Sequence, residues 1–154
     1  MCVAQPLVAN DLQVVFYLNN HTTRHDLVAA VKNISYGGYP PNLAAALAVA
    51  RSKVFVESNG ARQRDPSVLR LAVVFLTATP STYRESTLEE ARRAAEKDIG
   101  IVVVSVSTFV DRQLLSSIAT YPTSKNLFIV PSMIDVFNLV STIKAIICSG
   151  KLMS

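Results

Sequence analysis

Apolar residues along this chain follow two spacings that alternate. Residues 71–76 (Leu-Ala-Val-Val-Phe-Leu) and 101–106 (Ile-Val-Val-Val-Ser-Val) are apolar at nearly every consecutive position, the pattern of strands buried on both faces. Elsewhere the apolar positions fall three and four apart, as on one side of a helix: Leu27, Val31 and Ile34; Leu43, Leu47, Ala50 and Val54; Val136, Leu139, Val140, Ile143 and Ile147. Residues 3–5 and 12–18, separated by the turn formers Asn10-Asp11, predict an antiparallel pair at the start of the chain. A short helix is expected around residues 112–119 and a last strand at 127–130.

The ends of these elements carry signals of their own. Thr23-Arg24-His25-Asp26 has capping-box spacing, and Asn42 after Pro40-Pro41 is placed to cap the second helix. That helix fades through Ser58-Asn59-Gly60, as the first is broken by residues 36–41. Ser86-x-x-Glu89 and Thr87-x-x-Glu90 offer overlapping caps for a helix to Asp98, with Gly100 placed to take the left-handed residue after it. Pro80 stops the strand at 71–76. Strands alternating with helices predict an α/β fold, a doubly wound and mainly parallel sheet with helices on both faces. A single domain over residues 1–148 is expected, with 149–154 as a flexible tail; no repeat, low-complexity tract or linker interrupts it.

Composition narrows the classes. Half of the 154 residues are hydrophobic and 17% are charged, as in a globular chain long enough to bury one core. The longest apolar stretches, 69–78 and 99–107, fall short of the roughly 20 residues that cross a bilayer, so membrane insertion is not expected. Residues 1–6 lack the charged start and sustained apolar core of a signal peptide, which places any leader outside this sequence. The net charge of +4 is spread over scattered Lys and Arg, and Arg92-Arg93 stands among Glu89, Glu90 and Glu96. That reads as a solvated surface; with few stacking aromatics and no RNA-recognition signature, it excludes nucleic acid as a partner.

Candidate chemistry is sparse. His21 and His25 lie four apart, but His21 precedes the expected cap and no Glu motif joins them, so both read as solvent-facing polar residues. There is no Gly-x-Ser-x-Gly elbow, and Gly37-Gly38 lacks both dinucleotide spacing and a P-loop Lys. Met133 and the phenylalanines read as core or helix-face packing, and Tyr39-Pro40-Pro41 as loop. Neither catalysis nor a cofactor is expected. Cys2 and Cys148 sit near opposite ends of the chain; a bridge between the termini is conceivable, although Cys2 in its apolar run reads as a buried free thiol. Asn20-His21-Thr22 and Asn33-Ile34-Ser35 are N-glycosylation patterns and lean towards a secreted protein.

Taken in order, several segments resemble the von Willebrand factor type A (VWA) family. They are Val15-Phe16-Tyr17-Leu18-Asn19, a helix ending Val31-Lys32-Asn33-Ile34, Tyr36-Gly37-Gly38 before an Ala- and Leu-rich helix, residues 71–77, residues 87–94 and residues 100–106. The resemblance runs from Val3 to Cys148 and implies the Rossmann-like VWA fold. It also implies departures. The family's first strand, the Asp-x-Ser-x-Ser loop after it and the first helix have no counterpart here. Of the two later positions that help to hold the family's divalent cation, Pro41 stands where a Thr is usual and Ala78 where an Asp is usual, and neither offers a side-chain oxygen. No metal site of the usual kind is therefore expected. The missing strand would lie between residues 3–5 and 71–76, and unpaired backbone groups there would each forfeit about 1–3 kcal/mol. The chain being a fragment, the flanking strands closing over the gap, and a partner contributing a strand would each meet that cost.

The function implied by the resemblance is a non-enzymatic protein-binding module of the adhesion or extracellular-matrix type, metal-independent and extracellular. Its partners would be a protein ligand such as a matrix component, and other domains of a parent chain. Open α/β sheets bind beyond the carboxyl ends of their strands, so the candidate face comprises Tyr39, Pro40, Asn42, Thr77, Thr79, Ser81 and Arg84, with residues 107–109 and Arg112 nearby. The alternative is an architectural spacer, or a fragment of a larger matrix protein of collagen-like or matrilin-like kind, with no ligand of its own. An intracellular scaffold stands third.

Overall fold

The computed structural model describes residues 6–7, 13–34, 42–78 and 83–149, and statements of absence below refer to these. The two runs of consecutive apolar residues form strands as their pattern requires. Strand β3 (Arg70–Leu76) pairs in parallel with β4 (Ile99–Val106), and β4 with β5 (Leu127–Val130), giving the sheet order β3-β4-β5. The register sets Ala72 beside Ile101, and Leu76 beside Ser105, which in turn faces Ile129. β4 lies at the centre, with Val102, Val103 and Val104 fully buried. Strands β1 (Pro6–Leu7) and β2 (Gln13–Val14) form the expected antiparallel pair, shorter than the sequence predicts and in a sheet of its own. Residues 3–5 lie outside the described set. Beyond Val14 the chain leaves the ladder, and Phe16 is buried edge-on against His21, with ring centroids 5.0 Å apart.

Helices cover both faces of the three-stranded sheet. On one side α2 (Leu43–Val49), α3 (Arg84–Ala95) and α4 (Arg112–Ile118) bury Leu47, Ala94 and Leu115 against Ile101 and Val103. On the other, α6 (Met133–Ser149) lays Val136, Leu139, Ile143 and the fully buried Ile146 on Val102 and Val104. A short helix, α5 (Thr123–Asn126), leads into β5. Helix α1 (Arg24–Lys32) is capped by Thr23, whose hydroxyl accepts the Asp26 amide at 3.1 Å, yet it buries none of its residues. The predicted stripe on α1 is real in spacing, but Val31 faces solvent and only Leu27 and Ile34 are half-buried. None of these helices is long and apolar enough to cross a membrane.

The second helix starts where Asn42 predicts and ends in a wider turn at Ala50–Val54, closed by the Phe55 amide on the Ala50 carbonyl at 2.8 Å. From that turn Arg51 reaches Glu90 on α3, its Nε and Nη2 at 3.0 and 2.8 Å from one carboxylate oxygen, while Arg93 holds the other at 2.8 Å. The three charges are mutually satisfied, so the Glu90 carboxylate can sit at the α2–α3 junction largely out of water.

Three expectations are corrected. Helix α3 begins at Arg84 after Tyr83, not at Ser86 or Thr87; the Thr87 hydroxyl lies inside its first turn and donates to the Tyr83 carbonyl at 2.9 Å. The left-handed residue after α3 is Asp98, at φ 53°, a conformation Asp tolerates, and Gly100 is already inside β4 beside Leu71. Met133, Phe75, Phe109 and Phe137 are exposed instead of packed, as is Val140 on α6. β3 has the sequence of a central strand and stands at the edge of the sheet, on the side where the sequence has no counterpart of the family's first strand. Cys148 is a free, exposed thiol, and α6 runs through Ser149.

Candidate protein-binding face at the carboxyl ends of the strands

A parallel sheet delivers all its strand-to-helix loops to one end, and three loops meet there. β3 hands the chain to Thr77 and Ala78, both exposed. β4 hands it to Ser107, Thr108 and Phe109 before α4, and β5 to Pro131 and Ser132 before α6. Tyr39, Pro40, Pro41, Thr79 and Ser81 lie outside the described residues. Of the predicted face, the structure therefore places Asn42, Thr77 and Arg84.

Each placed residue has a local reason for its position. Asn42 is the N-cap of α2, and its Oδ1 accepts the Ala45 amide at 3.0 Å, so its carbonyl oxygen is committed to the helix. Arg84 opens α3 and forms an ion pair with Asp111 in the loop after β4, tying two of the three loops together. Asp111 is at once the N-cap of α4, accepting the Leu114 amide at 2.9 Å. That amide, and then the Arg84 guanidinium, hold the Asp111 carboxyl below the usual carboxylate range. Arg112 is exposed next to it.

Between these anchors stands Phe109, 94% exposed, its amide donating to the Ser107 hydroxyl at 3.2 Å. Tyr83, held at φ 64° just before α3, is the second exposed aromatic on a strand-to-helix loop. The sequence places residue 109 on this face but reads its ring as packed, and it does not single out Tyr83 or Asp111. Asp111 has a usable signal, a carboxylate immediately before a predicted helix.

The donor set does not suit a hard divalent cation. Ala78 carries no side-chain oxygen, Asp111 is engaged by Arg84 and an amide, and no three His, Cys, Asp or Glu side chains among the described residues converge. Nor do His21 and His25 share a helix: the first packs on Phe16 and the second is in α1. Asn20 and Asn33 are exposed, at a turn and at the end of α1, and the Asn20 Oδ1 accepts the Tyr17 amide at 2.5 Å.

Comparison with known proteins decides the family. The family model of the von Willebrand factor type A domain matches residues 3–142. The chain belongs to the VWA family. Cochlin from Bos taurus is 32% identical over 103 residues, which are 66% of this chain and 18% of cochlin; cochlin from Homo sapiens is 31% identical over a stretch of the same length. The chain thus spans about a fifth of the length of these relatives. Among solved structures, proximal thread matrix protein 1 from the mussel byssus, with a zinc-occupied MIDAS motif, has a TM-score of 0.80 at 17% identity, over 96% of this chain and 36% of that one. The manganese-loaded TRAP protein of Plasmodium vivax has a TM-score of 0.66 at 13% identity, over 93% of this chain and 57% of that one. At such identities the likeness concerns the fold: an open parallel sheet with helices on both sides, as in other VWA domains.

Proposed function

We propose that this VWA chain is a non-enzymatic, extracellular protein-binding module of the adhesion or matrix type, which engages its ligand without a metal ion through the loops at the carboxyl ends of its strands. The observation that carries the reading is Phe109, an almost fully exposed aromatic on a loop whose base is fastened by the Arg84–Asp111 pair and the Asp111 cap. Exposing such a ring costs solvation free energy that burial against a partner returns, and pre-ordered aromatic anchors with Arg at their edge are typical centres of protein interfaces. The Ala78 methyl and the Pro41 ring supply no ligand atom, so binding relies on packing and neutral hydrogen bonds from Thr77, Thr79 and Ser81, with Tyr39 and Pro40 beside them. A likeness to a byssus matrix protein and glycosylation patterns at two exposed asparagines, Asn20 and Asn33, support the extracellular assignment.

The test is capture from extracellular-matrix extract on the immobilised chain, with and without EDTA. A selectively retained protein is expected, insensitive to EDTA and reduced at least tenfold by Phe109→Ser, since loss of a hot-spot aromatic costs about 2 kcal/mol or more. The Tyr39→Ala/Thr79→Ala pair should weaken it without unfolding the domain. Equal capture by wild type and both variants would discard this face, and no selective capture at all would leave the architectural spacer as the reading.

A further inference from the structure

Asparagine is followed by glycine once in the chain, at Asn59-Gly60, and the pair stands at the joint between helix α2 and strand β3. An asparagine side chain is open to attack by the next backbone nitrogen, and glycine, with no Cβ, shields that nitrogen least. The joint is one helical turn, Glu57–Asn59, ended by Gly60 at φ 93°. It fastens three parts of the molecule. The Asn59 Nδ2 donates to the Lys53 carbonyl, in the wide turn after α2, at 2.6 Å, and the Ser58 carbonyl accepts the Asn19 side chain. On the far side the Ala61 amide closes on the Val56 carbonyl at 3.1 Å, and the Gln63 Nε2 donates to the Phe55 carbonyl.

Every group that such an attack needs is engaged in the fold. The nucleophile, the Gly60 nitrogen, donates its hydrogen to the Glu57 carbonyl at 3.0 Å. The Asn59 amide is anchored on Lys53, six residues back in the chain. The backbone at Asn59 is helical, with ψ near −20 to −30° in such a turn, and a five-membered ring through its side chain needs a ψ far from that range. All three restraints belong to the same turn and are lost together when it opens.

We infer that Asn59 is a self-modification site whose rate is set by the opening of this one turn and whose product cannot re-form it, so that conversion releases the joint irreversibly. In the opened turn the Gly60 nitrogen gives up its proton and attacks the Asn59 Cγ; the new C–N bond forms as the Nδ2 leaves with that proton as ammonia. Water then opens the imide at either carbonyl, leaving aspartate or, with the main chain rerouted through the side chain, isoaspartate. No oxidant or cofactor enters. Neither product fits the native turn. A carboxylate has no hydrogen for the Lys53 carbonyl and would set two acceptors 2.6 Å apart. Isoaspartate also lengthens the backbone by a methylene just before Gly60, where an added Cβ would already stand 2.8 Å from the Asn19 nitrogen. The released segment carries Arg62 and Arg64, both exposed, and Arg64 is held at 3.0 Å by Glu57 of the same turn. Conversion therefore presents two arginines on a loosened loop, the substrate of a trypsin-like protease.

The whole chain is incubated at neutral pH beside a synthetic peptide of residues 53–64, and conversion at Asn59 is read by peptide mapping and by isoaspartyl methyltransferase labelling. Because only the opened fraction reacts, the expected rate in the chain is at least tenfold below that in the peptide. It should rise in Asn19→Ala, which loses the bond to Ser58 and keeps the Asn-Gly pair. Urea below the unfolding transition should raise it with a slope well under the m-value of global unfolding. The converted chain should exchange the amides of residues 57–61 faster than fresh chain and be cut sooner by trypsin after Arg62 or Arg64. A rate equal to the peptide's, a urea slope equal to the global m-value, or a converted chain that matches fresh chain in exchange and cleavage would each overturn the proposal. So would the absence of conversion in both wild type and Asn19→Ala while the peptide converts fully.

Discussion

Gly60 holds φ +93° where the chain turns back against the segment at Asn19. Asn19 donates to the Ser58 carbonyl at 3.3 Å, and a Cβ on Gly60 would stand 2.8 Å from both the Asn19 backbone nitrogen and its Cβ. Backbone conformation and space therefore both demand glycine. Gly60→Ala should lower stability by about 2 kcal/mol, within the range for a strained left-handed residue, and urea denaturation checks it. A loss below half a kcal/mol would mean that the Asn19 segment yields freely. At this scale the sequence is read well where a residue acts on its own neighbours and poorly where its surroundings are distant. Thr23 and Asn42 cap the helices they precede because a cap is a local bond. Gly100 misleads because Asp98 supplies the left-handed turn two residues earlier, and Phe109, Phe137 and Met133 mislead because an apolar side chain does not say whether anything lies opposite it.

Helix α4 shows how an element can depend on one carboxylate. Seven residues are too few for a helix to persist unaided, and α4 survives by burying Leu114, Leu115 and Ile118 and by the Asp111 cap at its start. Because the Leu114 amide and Arg84 depress the Asp111 pKa in the fold, the unfolded chain binds the proton more readily. The stability this group contributes is thus complete above its unfolded value, near 4, and drains away as pH falls through the lower folded value. Asp111→Asn keeps the capping oxygen and removes the charge. The stability gap between wild type and Asp111→Asn should stay constant from neutral pH to about pH 5 and close below about pH 4, as urea midpoints at several pH values would reveal. A gap unchanged at pH 3 would mean that the charge does not matter. The start of α3 differs from its sequence signal for a related reason: Ser86 and Thr87 have the residue types of a cap, but Thr87 spends its hydroxyl on the Tyr83 carbonyl within the first turn.

Strand sequences announce burial on both faces and not pairing order, and the edge position of β3 is legible only through the resemblance, which leaves residues 71–76 without the strand that would lie beside them. The same limit applies to the candidate face: the rule that loops gather at the carboxyl ends points to it, while the fastening of its loops by Arg84 and Asp111, residues 27 apart, emerges only from the fold. This arrangement predicts an uneven distribution of stability. β4 has neighbours on both edges, helices on both faces and fully buried side chains, so its amides are released only when the whole domain opens. α1 buries nothing and the β1–β2 pair is two residues long, so both should open alone. Native-state hydrogen exchange should therefore show residues 101–105 exchanging at the free energy of global unfolding and α1 several kcal/mol below it, with β3 between them. Equal protection of β3 and β4 in the isolated chain would mean that the outer edge of β3 is already covered. Because an edge strand has a hydrogen-bonded neighbour on one side only, the gap between β3 and β4 measures what a second neighbour contributes to the protection of a strand.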